Sequence, residues 1–304
     1  MRKPVITLDE FDKQHSELDD TLRRYRVSKL GRHIFNPRMK KHLSLRRAES
    51  LKAINAVSRM ALVRVLYEGA QALWEREEIG KLFFVTLISQ KFSVTLDQAN
   101  RFKTAEGRAW IKSIIGDGDY IGFWEIAYYY RSPFLKAGHK PHAVWHAHLL
   151  TWNVTEPDVI KQRDRTNKAE LAFLPGRDAF HYRALSRRQA LGRVIYMAKG
   201  CLSEYTAYPL SRDVIDPATG EIFKVPGTTW MNRKRPIRPG SIARVTLAMG
   251  SRPLRSLCFA SGAGKDIKSV AFKTARRALR KQRVCRDKAI REAVTAANLT
   301  PTKR

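Results

Sequence analysis

Two histidines separated by one residue, His146 and His148, sit inside the apolar run VWHAHLLTW, and this run constrains the fold more than any other segment. Val144, Trp145, Leu149, Leu150 and Trp152 give it the β-branched, aromatic and aliphatic character of a central or half-buried strand. Side chains two residues apart on a strand share a face and lie about 6–7 Å apart along it. Both imidazoles are therefore expected side by side on a rigid sheet, where they can hold one metal ion between them. The plainer alternative is a histidine pair hydrogen-bonded within a polar layer.

Charge supplies the second constraint. The 304 residues carry 58 Lys+Arg against 28 Asp+Glu, a net charge of +30. Self-repulsion makes such an imbalance costly in a compact state, and a polyanion, most simply nucleic acid, compensates it. No apolar run approaches the ~20 residues of a membrane span, and the opening MRKPVITLDEFDK has no signal-like apolar core. Cys201, Cys258 and Cys285 are far apart, which argues against a disulfide framework or a cysteine-rich zinc site and fits a reducing cytoplasm. The expectation is a cytoplasmic nucleic-acid binder with no membrane partner.

Three segments follow. Residues 1–80 hold a basic arm, with no acidic residue over 21–48, read as mobile or DNA-docking, and then a long helix over 44–81. Residues 81–210 show a compact α+β pattern: an apolar strand at 81–89, a helix at 96–116, strands at 119–131 and 142–153, and helices at 156–170 and 186–200. Pro133, Gly138 and Pro141 punctuate the connection between the last two strands, which predicts antiparallel pairing. Residues 211–304 contain a hairpin turn at DPATGE and a basic helical tail from Lys265 onward.

A divalent ion needs more than two neutral imidazoles. Glu125, charged in the middle of the apolar strand GFWEIAYYY, is the preferred third ligand, because a charge there is expensive unless paired or metal-bound. His142 shares the histidine pair's parity and is the rival; a zinc site spanning His139 to His148 is a further alternative. Tyr196 and Lys199 in GRVIYMAKG are three apart on a predicted helix and so neighbours. A phenol is a weak nucleophile at neutral pH, and a cation beside it together with a metal-polarised electrophile is what such chemistry requires. The plain reading of that pair is a core tyrosine and a surface lysine.

Taken in order, FFVTLIS with Thr86 and Leu87, a Glu-bearing strand, WHAHLL and YMAKG resemble the HUH endonuclease superfamily, and within it the rolling-circle replication initiator (Rep) proteins of plasmids and phages. The resemblance covers residues 81–205. It departs at Gly200, where many members carry a second tyrosine, with Tyr205 and Tyr208 as more distant spares. Relaxases generally place the tyrosine before the histidine motif, and insertion-sequence transposases are usually shorter. The resemblance implies an antiparallel, RRM- or ferredoxin-like sheet with the histidines on a central strand. It also implies Mg²⁺ or Mn²⁺ on His146, His148 and Glu125, attack by Tyr196 on single-stranded DNA at a replication origin, and Lys199 steadying the developing charge. A host helicase and polymerase would then extend the nicked strand. Transposition, mobilisation and a non-catalytic regulator are the competing functions.

Other signals are weaker. SGAGK (261–265) hints at a phosphate loop, but Phe259 and Asp266 stand where the motif needs Gly and Ser or Thr. Trp124, Tyr128, Tyr129 and Tyr130 could stack on bases, although half must face the core. Cys201 reads as packing.

Overall fold

The three apolar runs form strands β1 (Leu82–Leu87), β3 (Asp119–Arg131) and β4 (His142–Trp152) in a computed structural model that describes residues 6–43, 45–76, 79–133 and 141–299. Every residue of β4 is buried, as a strand read from an unbroken apolar run should be. It pairs antiparallel with β3 on one side, and with β1 and the short β2 (Ser93–Thr95) on the other. With β5 (Phe180–Leu185), β6 (Ser203–Ile215) and β7 (Ile222–Pro236) the order becomes β5-β1-β4-β3-β6-β7, and β8 (Cys258–Ser261) pairs with β3.

The fold is α+β as expected, but the sheet is mixed, because β3 and β6 run parallel. The cause is the route of the chain. Between β4 and β6 it passes through α5 (Glu156–Ala169), β5 and α6 (Arg187–Met197), and this excursion returns it to the sheet in the direction of β3.

Helix α6 and α3 (Ala56–Arg76) cover the face that carries the histidines. Trp74 of α3 meets Trp152 edge-on at 6.0 Å, and Tyr196 of α6 meets Phe84 at 6.0 Å. Beneath the other face lie Trp124 and Trp145, packed by Phe92, Phe102 and Trp110. Trp110 belongs to α4 (Thr104–Ile115), where Gly107 lets the helix approach: a Cβ there would sit 2.5 Å from the Trp124 ring.

The helix predicted over 96–116 is divided into a 3-10 turn at Leu96–Arg101 and α4, which Gly116 ends at φ 81°. The helix predicted over 44–81 is likewise shorter. A 3-10 turn at Leu45–Ser50 precedes α3, Leu51 breaks the path at φ 49°, and the Asn55 side chain accepts the Ser58 N–H at 2.9 Å to start the helix.

The described residues of the basic arm over 21–48 are folded against the rest of the chain rather than forming a free arm. The arm contains the end of α1 (Leu8–Val27) and α2 (Pro37–Leu43), and its apolar residues Leu22, Phe35, Met39 and Leu43 are buried against Ile242 and Ala243 of α7 (Pro239–Met249). The arm's cations stand between these anchors, which its charge pattern obscured. After the four-residue α8 (Leu254–Leu257) and β8 comes α9 (Gly264–Leu299), the predicted basic helix. One apolar cluster takes in Phe11, Trp74, Phe83, Trp145, Ile195, Phe272 and Leu279, so all three sequence segments contribute to it. Among the described residues no helix is long and apolar enough to cross a membrane.

Candidate active site

Strand register decides which side chains meet. Glu125 on β3 lies directly opposite His146, and Thr86 on β1 lies opposite His148. Opposed residues share a face, so the four side chains project together. The two Nε2 atoms are 3.1 Å apart, and Glu125 Oε2 is 3.4 Å from that of His148 and 3.7 Å from that of His146. All three residues are buried. His142 keeps the parity but sits four residues away, opposite Tyr129, outside this group. His139 lies outside the described residues.

The group is built from metal-ligand atoms. The Val144 carbonyl lies 3.2 Å from Nδ1 of His146 and can only accept, so Nδ1 carries the proton and Nε2 offers a lone pair. Thr86 Oγ1, 2.9 Å from Nδ1 of His148, orients the second ring in the same way when it accepts. Two lone pairs and a carboxylate then converge within 4.8 Å, a donor set that can hold a metal ion.

The third carboxylate neighbour is Lys199, whose ammonium is ion-paired with Glu125 Oε2. Burial alone would raise the Glu125 carboxyl, but Lys199, followed by the two histidines, holds it well below the usual carboxylate range. Burial alone would lower Lys199, but Glu125 and then Tyr196 together more than offset it, so the ammonium stays charged. Desolvation keeps both imidazoles neutral at neutral pH, lowering His148 to about 3.

Helix α6 delivers the tyrosine. Ser186 and Gln189 form a capping box at its start, and Ala190, Val194, Ile195 and Met197 are buried. The Tyr196 ring stands 5.3 Å from the His148 ring and 3.8 Å below the Lys199 ammonium. Lys199 lies just beyond the helix rather than on it: α6 stops at Met197, and the Lys199 N–H returns to the Tyr196 carbonyl at 3.3 Å. The sequence-predicted residues Glu125, His146, His148, Tyr196 and Lys199 are thus brought together on one face.

Two residues that sequence reasoning missed pin this turn. Arg59 of α3, a buried cation, donates to the carbonyls of Ala53 at 2.6 Å and Ala198 at 2.9 Å. His15 of α1 accepts the Gly200 N–H at 3.1 Å while its Nδ1 donates to the Phe11 carbonyl at 2.8 Å. The space beside Gly200 is therefore filled by His15 and Arg59. These partners lie 185 and 139 residues apart in sequence, so no local spacing could mark them.

His15 makes stability pH-dependent. Burial lowers its pKa from 6.5 to about 4, so below pH 6.5 the unfolded chain binds a proton that the folded chain refuses. Its contribution is complete above about 6.5 and is lost as pH falls toward 4, up to about 3 kcal/mol. Urea unfolding at pH 7 and pH 4.5 should show a larger drop for the native protein than for His15→Gln. Equal drops would remove His15 as the cause.

The remaining signals resolve structurally. Asp119 Oδ1 accepts the Ala263 N–H at 2.8 Å, so a carboxylate already occupies the turn of SGAGK. Trp124, Tyr128 and Tyr129 are buried, and Tyr130 lies under Arg238 at 4.5 Å. Tyr205 stacks on Tyr129 at 5.2 Å, and Tyr208 is exposed on β6. Burial pushes the Cys201 thiol up to about 12, leaving it inert. No protein-family model, curated protein or solved structure matches this chain, so its functional reading rests on the residues and geometry above.

Proposed function

We propose that this protein is a metal-dependent endonuclease and strand transferase of the HUH type that nicks single-stranded DNA at an origin and starts rolling-circle replication. The observation that carries the reading is the convergence of a phenol, an ammonium and a two-histidine, one-glutamate group on one sheet face. The net charge of +30 supports a nucleic-acid substrate.

Glu125, His146 and His148 would hold Mg²⁺ or Mn²⁺, which supplies Lewis acidity at the scissile phosphate. The Tyr196 oxygen attacks phosphorus, forming a 5′-phosphotyrosine bond as the P–O3′ bond breaks. The phenolic proton is balanced by the one gained at the departing 3′-oxygen. Lys199, beside the Tyr196 ring, steadies negative charge on the phenolic oxygen as it develops. The free 3′-hydroxyl is then a primer for a host polymerase working with a helicase.

Incubation of the protein with single-stranded origin oligonucleotides and Mn²⁺ should yield a covalent protein–DNA adduct that survives denaturation and is absent from Tyr196→Phe. An adduct of undiminished yield in Tyr196→Phe would move the nucleophile elsewhere. No adduct across varied oligonucleotides would favour a non-catalytic nucleic-acid-binding regulator.

A further inference from the structure

Away from the histidine group, α8 and α9 enclose a groove of about 440 Å³ lined by Arg255, Ser269, Phe272, Lys273, Arg276, Arg277 and Arg280. Five of the seven lining residues are cations, all exposed. Positions 269, 273, 276, 277 and 280 recur at helical spacing, so they form one stripe about 16 Å long beside the apolar stripe of Ile267, Ala271, Ala275 and Leu279 that buries α9. The ion pairs of α9 lie elsewhere, at Arg283–Glu49 (2.6 Å), Arg286–Asp287 (3.9 Å) and Lys288–Glu292 (3.7 Å). Among the described residues, no carboxylate pairs with the five groove cations. Lys268 nearby feels the crowding: burial and then the charges of Arg108 and Arg255 lower its pKa.

Four like charges along α9, with Arg255 of α8 lining the same groove, repel one another unless an anion with repeating charge lies between them. We infer that this groove grips the phosphate backbone of duplex DNA, a second nucleic-acid surface separate from the tyrosine site. Duplex is favoured over single strand by the groove's chemistry. Single-strand sites interleave cations with open aromatic faces on which bases stack. The only ring here, Phe272, is 3% exposed and belongs to the core. A groove of cations without stacking platforms reads backbone alone. Only the choice of DNA as the polyanion rests on the proposed function. The protein then has two tasks, holding the double-stranded flank while the single strand reaches Tyr196.

The test uses full-length protein in EDTA, so that binding is read without cleavage. Fluorescence anisotropy follows a labelled duplex and a single strand of equal length while salt is varied. In Lys273→Gln/Arg276→Gln/Arg280→Gln, duplex affinity at about 100 mM salt should fall tenfold or more. The log–log salt slope should flatten by about 0.9 for each phosphate that the variant no longer neutralises. In a separate assay with Mn²⁺ in place of EDTA, adduct formation on a short single strand should stay within about twofold of the native protein, since these residues lie outside the tyrosine site. Arg276→Gln alone, a single exposed substitution, should free about one phosphate, which keeps the test open if the triple variant melts early. Unchanged duplex affinity and slope would overturn the assignment. So would an equal loss on single-stranded DNA. Because binding is measured without metal, a protein that fails to nick still passes or fails this test separately.

Discussion

Lys199→Met should destabilise the metal-free protein by about 3–5 kcal/mol, the usual cost of leaving a buried charge without its partner. Glu125 is 7% exposed, and its carboxylate is held ionised first by Lys199. With the ammonium gone, the two neutral imidazoles are the carboxylate's remaining close partners among the described residues, and it must either stay charged in a poor medium or take up a proton. Glu125→Gln on the same background removes the stranded charge, so the double variant should recover most of the loss, a coupling that urea unfolding of all four proteins measures directly. Divalent metal should act the same way. A cation on Glu125, His146 and His148 replaces the missing ammonium, so Mn²⁺ should raise the Tm of Lys199→Met more than that of the native protein. A single variant within 1 kcal/mol of native, or a double variant no more stable than the single, would mean that Lys199 is not the counter-charge of Glu125.

That pairing shows what is legible in the sequence and what is hidden. The strands are readable because their apolar runs are long, and the histidine pair because strand parity is a local rule. Glu125 can be chosen from the cost of a charge within an apolar strand, and β3–β4 register then sets it directly opposite His146. The ion pair between Glu125 and Lys199 escapes spacing rules, because helical periodicity puts Lys199 on a helix that in fact stops before it. Arg59 and His15 hold that turn from helices α3 and α1, through bonds to backbone atoms that leave no pattern of residue types. The arm over 21–48 misleads because its charges outnumber its anchors, although Leu22, Phe35, Met39 and Leu43 decide its placement. The parallel β3–β6 pair depends on the route of the intervening chain, which periodicity cannot report.

His148→Ala should remove metal-dependent cleavage while sparing DNA affinity. The residue is 5% exposed, its Nδ1 is engaged by Thr86, and its Nε2 lies 3.1 Å from that of His146 and 3.4 Å from Glu125 Oε2. Deleting the ring leaves one imidazole and one carboxylate, too few protein ligands to fix a divalent ion in a defined geometry. Two readouts follow. The Tm increase that Mn²⁺ gives the native protein should vanish in the variant, since a ligand stabilises only the state that binds it. Adduct formation should fall by about 10³-fold or more, equivalent to about 4 kcal/mol of transition-state stabilisation. Affinity for a single-stranded oligonucleotide should stay within about threefold, because phosphate binding draws on the many exposed cations rather than on this neutral ring. Circular dichroism separates the site effect from unfolding. A folded variant that keeps its Mn²⁺-dependent Tm shift would place the metal elsewhere, and one that loses the shift but still forms adduct at the native rate would separate the histidine group from the chemistry of Tyr196.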